Sequence, residues 1–300
     1  MTSKDTSPDA GQDGKDAVSV FRPPTQTAPV VFAAPHSGRD YSPEFVARAK
    51  LDPLSLRRSE DAFVDRMFET APGHGAPMIR ANFPRAYVDA NREAYELDPR
   101  MFQDRLPDHV TTRSPRITAG LGTVPRVVAN GEEIYGDKLT FLEAQQRIEA
   151  THRRYHDALS GLIRDTRHAF GGCLLIDCHS MPSNIGTDGA QAALPDIVLG
   201  DCHATSAAAY FTDSIEAALK RLDFCVVRNR PYAGGYTTRY YGRPRYGIHA
   251  VQIEINRALY LDEQRIEALP AIDGIIRRID AFIADICAET RRRLLPQAAE

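Results

Sequence analysis

Two short apolar runs, each followed by a histidine, constrain the fold of this 300-residue chain more than any other feature. The first run covers residues 29–34 and leads to His36, and the second covers residues 173–176 and leads to His179. Neither run has a helical period, and both have the length and composition of strands buried in a parallel sheet. We therefore expect both histidines at the carboxyl ends of buried strands.

Strands and helices alternate along the rest of the chain. Further strands are predicted over residues 86–89, 196–199, 224–227 and 249–256. Helices are predicted from residue 42, over 59–68, over 138–170, within 211–222 and over 272–293. This alternation predicts an α/β fold, with a mostly parallel mixed sheet and helices on both faces.

The ends and the irregular parts of the chain define the expected domain organisation. Residues 1–19 are polar with few large apolar groups, which favours a flexible tail, and residues 20–300 are expected to form a single α/β domain. Residues 98–136 have no sustained period and form a long excursion to which the sequence assigns no role.

Charge, hydropathy and cysteine usage exclude several classes of protein. A net charge of −3 provides no broad positive field, so nucleic acid is not an expected partner. No run approaches the roughly 20 apolar residues of a membrane helix, and the N-terminus lacks the apolar core of a secretory signal, so a cytoplasmic protein is expected. The five cysteines contain no CxxC pair, which argues against a thiolate zinc site. A homo-oligomer remains open.

Two histidines at strand ends indicate a metal site. Ligands of open α/β sheets bind beyond the carboxyl ends of the strands, and catalytic zinc takes about three protein ligands with one position left open. A carboxylate is therefore expected as the third ligand. Glu254 lies in the predicted strand 249–256, where apolar flanks should raise its pKa. Asp177, two residues before His179, either orients an imidazole or caps a loop.

Six short segments occur in an order that resembles the N-formylglutamate amidohydrolase family. They are residues 35–38, 59–61, 88–92, 177–180, 234–239 and 252–254. The resemblance extends from about residue 30 to residue 263 and implies a fold similar to that of zinc carboxypeptidases and aspartoacylases, with one zinc ion per chain. It implies that His36 and His179 are zinc ligands and that Glu254 is the general base.

The third ligand departs from the carboxypeptidase pattern. That pattern requires a glutamate three positions after the histidine, where this chain has Arg39. The family resemblance points instead to Asp61, with Glu60 as the alternative. Both residues, together with Asp65, could also form the solvated face of a helix.

An N-acyl glutamate carries two carboxylates, and a planar guanidinium binds a carboxylate through two parallel hydrogen bonds. The Asn91–Arg92 pair resembles the carboxylate-binding pair of carboxypeptidase-like enzymes. Arg239 and Arg85 are further candidates, and Tyr236 is expected either to line the pocket or only to pack. Each arginine could instead form a structural salt bridge.

The resemblance implies zinc-dependent hydrolysis of N-formyl-L-glutamate to formate and L-glutamate, a step of histidine degradation. The expected partner is thus a small acidic N-acyl amino acid. A related zinc deacylase or carboxypeptidase acting on another N-acyl amino acid or peptide would use the same ligands and base. A binding module without catalysis is the alternative from another class.

Overall fold

A seven-stranded sheet forms the centre of the computed structural model, which describes residues 16–128, 130–183 and 195–294. Its strands are β1 (Val18–Phe21), β2 (Val30–Ala34), β3 (Met78–Ala81), β4 (Cys173–Met181), β5 (Ile197–Gly200), β6 (Val226–Arg228) and β7 (Ile248–Asn256). Two short strands, β8 (Leu261–Asp262) and β9 (Glu267–Ala268), pair separately.

The strand order in the sheet is β1–β3–β2–β4–β7–β5–β6. Neighbours run parallel except for the β1–β3 and β7–β5 pairs, which are antiparallel. The predicted mixed, mostly parallel sheet is therefore confirmed. Because β2, β4 and β7 are adjacent and parallel, their carboxyl ends meet at one edge in the middle of the sheet.

Helices of four to seven residues occur along the whole described chain, whereas the helices of 13 to 23 residues all lie after residue 150. The helices are α1 (Pro43–Arg48), α2 (Pro53–Arg57), α3 (Val64–Met67), α4 (Pro115–Thr118), α5 (Phe141–Arg147), α6 (Arg154–Phe170), α7 (Ala209–Arg221), α8 (Tyr236–Tyr241) and α9 (Ile272–Leu294). A π-helical segment, Ile148–Arg153, joins α5 to α6. Short 3-10 turns cover Ala71–His74, Pro99–Met101, Pro244–Tyr246 and Arg257–Leu259. None of the helices in the described ranges combines the length and apolar composition that a bilayer crossing requires.

Helices cover both faces of the sheet. Alternate residues of β2 point to opposite sides, so Phe32 packs in one apolar cluster with Phe282 of α9, whereas Val31 packs in another with Leu159 of α6. This arrangement agrees with the predicted layers. The predicted helices over 138–170 and 272–293 correspond to α5–α6 and to α9.

Local patterns were misleading in three places. Residues 86–89 form no strand, because the amides of Tyr87 and Val88 bond to the Pro84 carbonyl in a turn. The helix predicted over 59–68 is confined to α3, because Phe63 adopts a left-handed conformation with φ 65°. The predicted tail over 1–19 overlaps β1, whose pairing with β3 orders Val18, while residues 1–15 lie outside the described part of the chain.

Candidate active site

The residues expected to carry chemistry meet at the carboxyl ends of β2, β4 and β7. His36 follows β2 by two residues, and the parallel register of β4 and β7 sets His179 beside Glu254 and Asp177 beside Gln252. Since side chains alternate along a strand, these four residues of β4 and β7 lie on one face of the sheet. The predicted strand ends are thus brought together.

Two histidines and one aspartate form a group that could hold a metal ion. The Nδ1 atoms of His36 and His179 lie 3.1 Å apart, and Asp61 Oδ2 lies 3.3 Å from His36 Nδ1 and 3.0 Å from His179 Nδ1. Ligand atoms about 2.0 Å from a tetrahedral zinc ion are separated by roughly 3.3 Å. All three side chains are buried, so the donor set fits one divalent ion.

Each histidine has a carboxylate beside its other ring nitrogen. Nε2 of His36 donates to Asp89 Oδ1 at 2.7 Å. Nε2 of His179 lies 3.0 Å from Asp177 Oδ1 and 3.2 Å from the Asn91 amide nitrogen. Metal-binding histidines typically donate their second nitrogen to a carboxylate, which fixes the tautomer and leaves a lone pair for the metal. The environment of His36 fits this pattern directly.

The Asp61 side chain lies beside His36 and His179 because its backbone is hydrogen-bonded to the segment that follows β2. Its amide donates to the His36 carbonyl at 3.0 Å, and its Oδ1 accepts hydrogen bonds from Arg257 at 3.0 Å and from Ser180 at 3.3 Å. Burial favours the neutral acid, but the imidazoles of His179 and His36 hold the pKa of Asp61 well below its usual range. The solvated helix face considered for this residue is therefore wrong.

Glu60, the alternative third ligand, belongs to a different cluster. Its Oε1 accepts hydrogen bonds from the Tyr41 hydroxyl at 2.9 Å and from Arg57 Nε at 3.0 Å. Asp65 is also buried, and it forms an ion pair with Arg39. Neither residue joins the group of potential metal ligands, so the geometry favours Asp61.

Glu254 is buried beside this group and lines the same cavity. Its Oε1 accepts a hydrogen bond from Gln252 Nε2 at 2.8 Å, and Gln252 Oε1 in turn accepts from the Gly235 amide at 2.7 Å. Burial raises the pKa of Glu254 to about 7, against the opposing charge of His179. This upward shift of the Glu254 pKa has the direction expected from the apolar residues that flank it in the strand.

A cavity of about 460 Å³, which we call the metal-side cavity, opens over these groups. Its volume is in the range typical of small-molecule sites. It is lined by His36, Asp61, His179 and Glu254, and by Arg85, Arg92, Arg116 and Arg257. The cavity therefore combines a candidate metal centre with several cations, as an anionic ligand requires.

Asp89 organises the arginines nearest to the candidate ligands. Its Oδ2 accepts a hydrogen bond from Arg85 Nε at 3.0 Å and lies 3.4 Å from a terminal nitrogen of Arg92. Arg92 also donates to the carbonyls of Leu121 and Asn91. Burial lowers the pKa of Arg92 to about 10. Burial also opposes the charge of Arg85, but the Asp89 carboxylate raises its pKa above the usual value.

The segment around Asn91 is fixed from both sides. The Asn91 side-chain oxygen accepts a hydrogen bond from the Thr237 amide at 2.7 Å, which directs its nitrogen towards His179. Two histidines from the π-helical segment and α6 act on the backbone: His152 donates to the Arg92 carbonyl and His156 to the Ala90 carbonyl, each at 2.8 Å.

Arg239 and Tyr236 are not brought into the metal-side cavity. They line a neighbouring cavity of about 590 Å³, together with Tyr240, whose ring stacks on Tyr236 at 5.1 Å between centroids. Arg116 lines both cavities. The substrate-binding roles of Arg239 and Tyr236 stay predictions.

Three charged residues of the cavity are not among the site residues expected from the sequence. Asp89 belongs to the 88–92 segment that carries the family resemblance, and its acidic side chain was an available signal. Arg257 follows the strand of Glu254 closely, but only the fold brings it to Asp61. Arg116 comes from the irregular excursion, where no pattern distinguishes it.

A buried His–Asp–His group at the carboxyl ends of parallel strands defines an α/β protein with a candidate metal centre. The family model for N-formylglutamate amidohydrolase matches residues 28–261, so the chain belongs to that family. This result confirms the family expected from the sequence, and with it an enzyme of amidohydrolase type rather than a binding module.

Individual relatives agree with this assignment. N-formylglutamate deformylase of Pseudomonas aeruginosa is 26% identical over 261 residues, covering 84% of this chain and 91% of the relative. N-formylglutamate deformylase of Pseudomonas putida is 27% identical over 240 residues, covering 78% and 82%. The crystal structure of N-formylglutamate amidohydrolase from Ralstonia eutropha JMP134 is 31% identical with a TM-score of 0.87, covering 93% of this chain and 100% of that one.

Proposed function

We propose that this protein hydrolyses the formyl amide of N-formyl-L-glutamate to formate and L-glutamate with one zinc ion per chain. The observation that carries the proposal is the convergence of His36, Asp61 and His179 on one point, with Glu254 beside His179 in the strand register. Family membership and the names of the relatives support the choice of substrate.

His36, Asp61 and His179 would hold the zinc ion. Their buried donor atoms, two imidazole nitrogens and one carboxylate oxygen, are ligand types that zinc prefers. When bound, zinc supplies a Lewis acid that polarises a carbonyl group and makes water more acidic. Asp89 keeps the His36 imidazole oriented, and Arg257 keeps the Asp61 carboxylate oriented.

Glu254 acts as the general base. Its Oε1 is occupied by Gln252, so Oε2 is the atom that accepts a proton from the water that attacks the formyl carbon. Glu254 then delivers this proton to the amide nitrogen as the carbon–nitrogen bond breaks. A carboxyl group with a pKa of about 7 can both accept and release a proton near neutral pH.

The arginines of the cavity bind the carboxylates of the substrate. Arg85 bonds to Asp89 through Nε, and among the described residues this leaves its two terminal nitrogens available for two parallel hydrogen bonds to a carboxylate. Arg92 and Asn91 lie alongside and contribute positive charge and an amide near His179. Arg239 and Tyr236, in the neighbouring cavity, would meet only the distal part of a substrate.

Formate release over a panel of N-formyl amino acids, with and without a chelator, tests the proposal. N-formyl-L-glutamate should be the preferred substrate, and chelation should abolish turnover until zinc is restored. Preference for an N-acetyl amino acid or a peptide would instead identify a related deacylase or carboxypeptidase. A role in histidine degradation and a cytoplasmic location stay predictions that follow from the resemblance and the sequence.

A further inference from the structure

Arg116 differs from the other arginines of the metal-side cavity because it has no protein partner in the described part of the chain. Arg85 and Arg92 both contact Asp89, and Arg257 is hydrogen-bonded to a candidate metal ligand. Across residues 16–128, 130–183 and 195–294, the half-buried Arg116 guanidinium forms no ion pair or side-chain hydrogen bond. It is therefore the cation of this cavity best able to accept an external anion.

The surroundings of Arg116 disfavour its charge. Burial lowers the pKa of Arg116, and the positive charge of Arg239 lowers it further. Glu96 is also near but is hydrogen-bonded to Ser114, and Glu93 lines the same neighbouring cavity. A half-buried cation that faces another cation is stabilised when an anion binds between or beside them.

The backbone holds Arg116 in place at the junction of the two cavities. The Arg116 carbonyl accepts a hydrogen bond from the Leu121 amide at 2.8 Å, and the Leu121 carbonyl accepts one from Arg92 at 2.9 Å. Ser114 caps α4 by accepting from the Ile117 amide at 3.1 Å. These contacts connect the excursion directly to the cavity.

We infer that Arg116 is a specificity-determining residue that binds the side-chain carboxylate of an acidic N-acyl amino acid, with Arg239 beside it. This inference rests on the proposed function. The α-carboxylate of such a substrate is close to the scissile amide. It would therefore bind to Arg85 and Arg92, which lie near the candidate metal ligands. The side-chain carboxylate extends farther out, towards the junction that Arg116 occupies.

The test compares N-formyl-L-glutamate with N-formyl-L-glutamine, which has nearly the same shape but no side-chain charge. Arg116→Gln should lower kcat/KM for N-formyl-L-glutamate by about 10- to 100-fold, mainly through KM, since that is the range for a lost hydrogen bond to a charged group. Turnover of N-formyl-L-glutamine should change by less than about threefold. Arg116→Lys keeps the charge and should retain most of the preference for glutamate.

Arg113→Gln is the matched control, because Arg113 is exposed in the same excursion and lines neither cavity. It should leave both substrates unaffected. An unchanged preference in Arg116→Gln, or an equal loss on both substrates, would overturn the inference while the proposed function stands. Absence of formate release by the wild-type protein from every N-formyl amino acid would instead overturn the proposed function itself.

Discussion

The Nδ1 atoms of His36 and His179 lie 3.1 Å apart although 143 residues separate the two histidines in the chain. Asp61 Oδ2 lies within 3.3 Å of both nitrogens. Lone pairs from two imidazoles and a carboxylate repel one another unless a cation or a proton lies between them. This relationship, buried at the centre of the sheet edge, is the basis of the proposed metal centre.

The proposed ligand set distinguishes Asp61 from its neighbour Glu60. Asp61→Asn should weaken zinc binding by more than about 100-fold, since the loss of a partner outside the ligand set already weakens it by roughly 10- to 100-fold. Glu60→Gln is the matched control, because Glu60 bonds to Tyr41 and Arg57 instead. Competition with a chromophoric chelator measures both affinities. Equal affinities in the two variants would remove Asp61 from the ligand set.

Asp89 should matter for zinc affinity without being a ligand. Asp89→Asn replaces the charged acceptor of the His36 Nε2 proton and should reduce zinc affinity by about 10- to 100-fold. Competition with the same chromophoric chelator measures the zinc affinity of this variant. Unchanged zinc affinity would argue that Asp89 serves only to hold Arg85 and Arg92.

Glu254 should be needed for turnover and not for metal binding. Glu254→Gln retains the hydrogen-bonding shape but cannot accept the proton, so kcat should fall by about 100- to 10,000-fold while zinc content stays at the wild-type level. Steady-state formate release and metal analysis on the same sample measure both. Glu267→Gln, at an exposed position, controls for the substitution. A near-normal rate in Glu254→Gln would assign the base elsewhere.

A buried histidine on α6 should make stability depend on pH. Burial, with a smaller contribution from His152, lowers the pKa of His156 to about 3, compared with about 6.5 in an unfolded chain. The unfolded state therefore takes up a proton first as the pH falls, and this lowers stability by about 2 kcal/mol between pH 7 and pH 5. The loss of stability is nearly absent above about pH 7 and grows as the pH falls from 6.5 towards 3.

His156→Gln should remove this part of the pH dependence, as measured by urea unfolding at pH 5 and pH 7. Exposed His168 on the same helix provides the control, and His168→Gln should leave the pH dependence unchanged. An identical difference in unfolding free energy for His156→Gln and the wild type would show that His156 does not titrate as its burial requires.

The buried strands made the centre of the site predictable from sequence. Apolar runs locate β2, β4 and β7, and parallel packing brings their carboxyl ends together, so His36, His179 and Glu254 could be predicted to be neighbours. The geometry of Asp61 was not accessible in the same way. The left-handed conformation of Phe63 and the bond from Asp61 to the His36 carbonyl are tertiary features that helical spacing does not reveal.

The substrate side of the site was less predictable. Arginines are common, and sequence alone does not distinguish one that pairs with Asp89, as Arg85 does, from one that has no partner among the described residues, such as Arg116. The excursion over 98–136 lacks periodicity because its backbone bonds mainly through turns, so the placement of Arg116 follows only from the folded chain. The neighbouring cavity that Arg239 lines could not be predicted from the sequence either.

Zinc content per chain is the most direct test of the metal centre, measured by mass spectrometry on protein purified without chelator. The wild type and His168→Ala should contain about one zinc per chain, whereas His36→Ala and His179→Ala should each contain almost none while remaining folded. Full zinc content in both His36→Ala and His179→Ala would contradict a metal centre at this position.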